Sequence, residues 1–153
     1  RDRYFTDSDQ IEFALSSGQI NVHSTIISRF ETVNEQGIKK IEKYTQIKNC
    51  VCLGNATDAM EIIFNFLKLP LNSKVLVPSH TMLATASAAK TAGLNPVPVD
   101  VDNESYMLEF DQLKNCNLDN VSAVMITQLN GVVADMKPIK SFKIRAPEPP
   151  VSK

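Results

Sequence analysis

A short run of small polar residues, Gly54 to Asp58, joins a β-type segment to a segment with apolar residues at helical spacing. A helix that begins here would gather unpaired backbone N–H groups, the positive end of the helix dipole and the Thr57 hydroxyl at one point. Such a helix start can hold a phosphate without any lysine or arginine. A plain helix cap by Asn55 or Thr57 explains the same residues. The pattern therefore leaves two interpretations, a cap or a phosphate site at Thr57 and Asp58.

His80 is a second candidate, in a segment where a predicted strand end is followed by a helix start with Ser79 or Thr81 as its cap. An imidazole there could exchange protons or stack on a ring. A lone histidine at a strand end more often has a structural role, and Met82 beside it is more typical of a core than of a ligand contact. Both interpretations stay open at this stage.

Three carboxylates, Asp100, Asp102 and Glu104, follow another predicted strand. An Asp-x-Asp pair in this place can hold a divalent metal for a sugar-nucleotide transferase. A calcium loop would need glycine where Ser105 stands and glutamate where Asp111 stands. Solvated carboxylates that end a strand and begin a turn are the simpler explanation.

Composition excludes several classes of protein. The 153 residues contain 16 Lys and Arg against 17 Asp and Glu, which argues against a nucleic-acid partner. No apolar run reaches membrane-spanning length and no signal-peptide pattern opens the chain, so a cytoplasmic protein without a membrane partner is predicted. Cys50, Cys52 and Cys116 lack the spacing of a zinc or redox site and are predicted to be core residues. Neither a P-loop nor a dinucleotide-binding glycine pattern occurs.

Hydrophobic periodicity predicts the elements that position these residues. Helices are expected at 7–16, loosely at 26–44, and at 57–68, 82–92 and 109–115, and strands at 50–53, 74–78, 96–101 and 121–127. Strands that alternate with helices indicate an α/β fold with a mostly parallel sheet. The carboxyl ends of those strands would bring residues 54–58, 78–82, 100–102 and 127–131 to one edge.

Four segments, in order, resemble nucleotide-sugar aminotransferases of the DegT/StrS type, which are fold-type I enzymes dependent on pyridoxal phosphate. They are GNATDAM at 54–60, KVLVPSHTMLAT at 74–85, AGLNPVPVDVD at 92–102 and QLNGVVADM at 128–136. The resemblance covers roughly residues 10 to 142. It implies an incomplete three-layer α/β/α large domain at 49–142, preceded by a helical, substrate-side segment at 1–48. A proline-rich disordered tail is expected at 143–153.

The resemblance also implies a cofactor site. In the family, the positions of Thr57 and Asp58 hold the phosphate of pyridoxal phosphate, and glycine usually stands where Ala56 does. Met82 occupies the place of an aromatic residue that lies against the pyridine ring. Ala56, Thr57, Asp58 and Met82 are therefore the expected cofactor-binding residues. Gln128 and Asn130 replace the usual His and Tyr before Gly131.

The family's reaction also needs a Schiff-base lysine and a carboxylate that pairs with the pyridine nitrogen. In relatives both lie beyond the equivalent of Phe142, and neither pattern occurs in these 153 residues. Lys137 and Lys140 fall in a predicted turn and do not match that lysine. No catalytic or metal-binding residue is therefore assigned. The chain is expected to correspond to the N-terminal part of the large domain, with strand 121–127 lacking a neighbour.

The predicted function is thus a truncated nucleotide-sugar aminotransferase, inactive alone, from nucleotide-sugar and polysaccharide biosynthesis. The full-length family moves an amino group, from glutamate by expectation, onto a nucleotide-linked keto-sugar, and works as a dimer. Two alternatives stay open: a non-catalytic partner in a homo- or heterodimer with a full-length relative, and a metal-dependent sugar-nucleotide transferase that uses Asp100 and Asp102.

Overall fold

The computed structural model describes residues 10–15, 22–25, 38–39, 42–43, 51, 53, 55–142 and 144. Strands are numbered along the chain, and helices from Ala56 onward. The strands are β1 (Gln10–Leu15), β2 (Val22–Thr25), β3 (Lys74–Pro78), β4 (Asn95–Val99) and β5 (Val121–Gln128). The helices are α1 (Ala56–Leu67), α2 (Leu83–Thr91), α3 (Phe110–Leu113) and α4 (Met136–Ser141), with a 3₁₀ turn at Leu129–Gly131.

These strands form one five-stranded sheet in the order β2-β1-β5-β3-β4. β3 pairs in parallel with both β4 and β5, whereas β1 pairs antiparallel with β2 and β5. The prediction of an α/β fold with parallel pairing in its sheet is confirmed. The antiparallel pair β1–β2 was not predicted, and it makes the sheet mixed.

Two apolar clusters lie on opposite faces of the sheet, because successive strand residues point to opposite sides. On the first face, Val75 and Met125 pack with residues of α1 and α2, such as Phe64 and Ala88. On the second face, Leu76 and Ile126 pack with Leu113 of α3 and Ile139 of α4. Helices therefore cover both faces, and β5 is buried along its whole length.

Most element predictions from residue 56 onward are confirmed. Strand 74–78 has the predicted bounds. Each of the other predicted elements begins or ends within one or two residues of its predicted bounds. Gly93 ends α2 with φ of +76°, a conformation that suits glycine. A Cβ at this position would come within 2.9 Å of Leu71 Cδ2.

The helix predicted at 7–16 is wrong, because Gln10–Leu15 is a strand. The segment alternates Ile11, Phe13 and Leu15 with less apolar residues, which is the strand period. It pairs with β5 from Gln10↔Gln128 to Leu15↔Ala123. The expectation that strand 121–127 lacks a neighbour is therefore also wrong.

The structure corrects three further predictions. Val51 and Leu53 are exposed and belong to no strand, so the strand predicted at 50–53 is not found at these two residues. Lys137 and Lys140 lie in α4 rather than in a turn, because Asp135 caps that helix by accepting a hydrogen bond from the Lys137 amide at 3.0 Å. Ile144 is buried in the second cluster, so it is part of the core.

Other predictions fall outside the described residues. These are residues 7–9 and 16, most of 26–44, Cys50 and Cys52, and the tail at 145–153. Within 26–44, the described residues 38–39 and 42–43 are helical, as predicted. Cys116 is half-buried against the second cluster, and burial raises the pKa of its thiol. The three-part division of the chain stays a prediction.

Candidate functional site

The sheet has a topological switch point between β3 and β5. These strands are neighbours, yet α2 leaves β3 over the first face, whereas the chain leaves β5 toward α4 on the second face. In open α/β sheets a crevice forms outside the carboxyl ends of two such strands, and ligands bind there. The residues that follow Pro78 and Gln128 are therefore the candidate site.

A cluster of three threonines marks this point. Thr81 Oγ1 lies 2.8 Å from Thr85 Oγ1 in α2, and it donates to Thr127 Oγ1 of β5 at 3.3 Å. Thr85 and Thr127 are both buried. The Thr81 hydroxyl thus ties the turn after β3 to the end of β5, and it holds the start of α2 in place.

This cluster was not predicted from the sequence. Ser79 or Thr81 was expected to cap α2, but Met82 is the N-cap residue and its side chain makes no cap hydrogen bond. The spacing of Thr81 and Thr85, four residues apart, was a usable signal, because residues i and i+4 are neighbours on a helix. The contact with Thr127 needed the sheet order, which the local sequence does not contain.

Two predicted residues, His80 and Met82, flank Thr81 on the surface. The His80 ring packs edge-on against Tyr106, with ring centroids 5.7 Å apart and an interplanar angle of 66°. Met82 is 69% exposed. His80 therefore contacts the loop after β4, while the thioether of Met82 is accessible to a ligand.

The start of α1 shows the helix cap by Asn55, which is one of the two interpretations that the sequence left open. Asn55 is the N-cap, and its side-chain oxygen accepts from the Asp58 amide at 2.9 Å. Asn55 Nδ2 also donates to the Asp58 carboxylate at 2.9 Å. One helix-start amide is therefore already occupied by protein.

The amides of Ala56 and Thr57 have no hydrogen-bond partner among the described residues. They are the first two amides of a twelve-residue helix, where the dipole favours an anion. Ala56 and Thr57 are partly accessible. These donors fit a phosphate group, with Asp58 contributing to the cap rather than an open amide.

Gln128, which stands where the resemblance led us to expect His, is buried, and its side chain is hydrogen-bonded. Its Oε1 accepts from the Ala134 amide at 2.7 Å, and its Nε2 donates to Met136 Sδ at 3.5 Å. These bonds close the loop that leads from β5 to α4. Asn130 lies in that loop, exposed and with φ of +54°. The Gln128 side chain is therefore committed to this loop, whereas Asn130 lies on the surface beside the end of β5.

The acidic segment after β4 forms a turn built around Asp102. Its Oδ1 accepts from the Ser105 amide at 2.8 Å and from the Glu104 amide at 2.9 Å. The Ser105 amide, followed by the Glu104 amide, holds the pKa of the Asp102 carboxyl below its ordinary value. Among the described residues no group of three His, Cys, Asp or Glu side chains could hold a metal ion.

We expect replacement of Asp102 by alanine to lower the melting temperature near neutral pH, because two backbone amides of the turn lose their acceptor. A group with a lowered folded-state pKa contributes stability above its unfolded pKa. That contribution is lost as pH falls through the folded pKa, so the wild-type and Asp102→Ala melting temperatures should converge in acid. Thermal melts from pH 7 to pH 2 measure this convergence.

Asp100→Ala is the matched control, because Asp100 is exposed and no described residue donates a hydrogen bond to its carboxylate. Near neutral pH it should change the melting temperature less than Asp102→Ala does. A manganese titration distinguishes a metal-binding role of Asp102 from its structural role in the turn. Saturable manganese binding that Asp102→Ala abolishes would support the transferase alternative.

The structure is a mixed α/β fold, and its candidate ligand site lies at the carboxyl ends of β3 and β5. Residues 6–145 match the model of the DegT/DnrJ/EryC1/StrS aminotransferase family, so the chain belongs to this family. The resemblance drawn from the four motifs is thereby confirmed. Among the described residues, no helix has both the length and the apolar character needed to cross a membrane.

Known relatives share modest identity with the chain. EryC1 of Saccharopolyspora erythraea, named an erythromycin biosynthesis sensory transduction protein, is 29% identical over 112 residues, which are 73% of this chain and 31% of EryC1. A dTDP-3-amino-3,6-dideoxy-alpha-D-galactopyranose transaminase of Aneurinibacillus thermoaerophilus is 29% identical over 101 residues, 66% of this chain and 28% of that enzyme. The chain thus spans about a third or less of these relatives.

A solved structure resembles the fold. Spr1654 of Streptococcus pneumoniae, assigned as a sugar aminotransferase and solved in its PMP form, matches with a TM-score of 0.60 and 25% identity. The match covers 74% of this chain and 28% of the Spr1654 chain. It supports the architecture described above, with helices on both faces of a partly parallel sheet.

Proposed function

We propose that this chain forms the phosphate-holding part of a nucleotide-sugar aminotransferase that depends on pyridoxal phosphate. Family membership and the matching PMP-form structure support a cofactor of this kind. The observation that carries the proposal is that the Ala56 and Thr57 amides, at the start of α1, have no partner in the described part of the chain. In this proposal the phosphate binds these amides and the Thr57 hydroxyl.

In this proposal the residues at the start of α1 and those that follow β3 have distinct roles. Asn55 and Asp58 fix the first turn of α1 through their two mutual hydrogen bonds, which orients the free amides toward the phosphate. The exposed thioether of Met82 packs against the cofactor ring. The hydroxyl of Thr81 keeps Met82 in position by its contacts with α2 and β5.

When bound, pyridoxal phosphate supplies the electron sink for amino transfer. In the full-length protein we propose transfer from glutamate to a nucleotide-linked keto-sugar. The names of relatives support a sugar substrate, such as the dTDP-linked amino sugar of the Aneurinibacillus transaminase. Taken alone, the 153 residues contain no match to the family's Schiff-base lysine or its pyridine-nitrogen carboxylate, so we propose that this polypeptide has no turnover by itself.

Phosphate binding through Thr57 can be tested by substitution. We expect Thr57→Val to weaken binding of pyridoxal phosphate about tenfold, because loss of one hydrogen bond to a charged group costs about 1.5 kcal/mol or more. Thr57→Ser keeps the hydroxyl and should bind as the wild type does. Cofactor absorbance, followed during titration of each variant, gives the dissociation constants. Equal affinities for the valine and serine variants would contradict the proposal.

A second proposal concerns assembly. In this proposal, made from the sequence, the chain pairs with a full-length relative without catalysing the reaction. Size analysis with and without that relative distinguishes the two proposals, since a chain that stays monomeric in the mixture contradicts this one. A cytoplasmic location also stays a proposal, made from the sequence.

A further inference from the structure

Among the strands that the structure describes, β4 lies at one end of the sheet and pairs with β3 alone. Its register runs from Lys74↔Asn95 to Pro78↔Val99. A strand at the edge of a sheet normally presents a row of free N–H and C=O groups, to which another chain can add a strand. The outer side of β4 therefore determines whether the sheet can grow in this direction.

Two hydrogen bonds show which residues of β4 face β3. The Asn95 amide donates to the Ser73 carbonyl at 2.9 Å, and the Ser79 amide donates to the Val99 carbonyl at 2.8 Å. In an extended strand the backbone groups of alternate residues point to the same side. Asn95, Val97 and Val99 thus face β3, while Pro96 and Pro98 direct their backbone groups outward.

Proline has no backbone N–H, so the outer side of β4 offers carbonyl acceptors but no amide donors at positions 96 and 98. A partner strand needs both kinds of group to form a ladder. We infer that Pro96 and Pro98 close the β4 edge against strand addition. Further strands can then join the sheet only at its opposite side, beyond β1 and β2.

Exposed apolar side chains lie beside the β4 edge, so an open edge here would favour association between copies. A cavity of about 340 Å³ lies beside the edge, and it is lined by Pro96 and Pro98 together with Met82 and Leu83. Met82 is 69% exposed and Leu83 is 82% exposed. The two prolines remove the backbone part of that association.

Replacing Pro96 and Pro98 with valine adds a backbone N–H donor at each position and so tests the inference. We expect the double variant Pro96→Val, Pro98→Val to associate, so that its weight-average mass is at least twice that of the wild type at the same concentration. Asn95→Val is the matched control, because it adds a β-branched side chain where the amide already faces β3. Sedimentation equilibrium over a concentration series measures all three proteins. A folded double variant with the wild-type mass throughout the series would overturn the inference.

Hydrogen exchange gives a second test, which holds even if the double variant does not fold. In the wild type, the amides of Asn95, Val97 and Val99 should be protected. In the single variant Pro98→Val, the amide introduced at position 98 should exchange freely in dilute solution. Free exchange at Val97 in the wild type, or protection at position 98 in the dilute variant, would show that the assigned orientation is wrong.

Discussion

Replacement of Phe64 by alanine should lower the free energy of unfolding by about 3–5 kcal/mol, the range for removing a buried aromatic ring. Phe64 lies in α1 and is 2% exposed. It belongs to the first cluster, where α1 and α2 pack on β3 and β5. The lost transfer free energy and the remaining cavity both contribute to the expected effect. Urea denaturation followed by circular dichroism measures the change.

Phe66→Ala is the matched control in the same helix, because Phe66 is 75% exposed. It should change the free energy of unfolding by no more than about 0.5 kcal/mol, as for other surface substitutions. A larger loss for Phe66→Ala than for Phe64→Ala would mean that α1 packs with its other face toward the sheet.

The second large effect that we expect is aggregation of a variant in which β1 cannot pair normally. Phe13→Pro removes one backbone N–H from a strand that lies between β2 and β5. The backbone carbonyl that it pairs with is left without a partner, at a cost of about 1–3 kcal/mol if buried. We expect β1 to leave the sheet and expose the edge of β5, which is buried over eight residues. Light scattering should then show aggregation that increases with concentration.

Phe13→Val provides the comparison, since it keeps the backbone N–H and a strand-favouring side chain. It should remain dispersed at concentrations where Phe13→Pro aggregates. If Phe13→Pro also stays dispersed and melts as the wild type does, the pairing of β1 with β5 does not protect that edge.

The sequence predicted the elements from α1 to β5 because each has a clear local signal. β3 and β5 are short apolar runs bounded by turn residues, and Gly93 marks the end of α2. α4 was missed although Asp135 and Pro138 are typical of a helix start. The turn-like composition of that segment outweighed its capping signal.

β1 shows the limit of local reasoning. Ile11, Phe13, Ala14 and Leu15 are compatible with a short amphipathic helix as well as with a strand. The choice between them depends on β5, which is more than a hundred residues away in the chain and pairs with β1 along six residues. A window of ten residues contains no information about that partner.

The candidate site was predictable in part. The change from small polar residues to an apolar helical pattern located the start of α1, and the order of the motifs indicated the family that the match over residues 6–145 confirms. The capping role of Asn55 at the Asp58 amide was one of two open interpretations. The assignment of Ala56, Thr57, Asp58 and Met82 to the cofactor stays a prediction.

The central claim is that the first amides of α1 hold the phosphate of the cofactor. The most direct measurement is a titration of the ¹⁵N-labelled chain with pyridoxal phosphate, and with pyridoxal as the matched ligand that lacks the phosphate. We expect pyridoxal phosphate to shift the amide resonances of Ala56 and Thr57, and we expect pyridoxal to leave them unchanged. Equal shifts with both ligands, or shifts that leave the start of α1 unchanged, would contradict it.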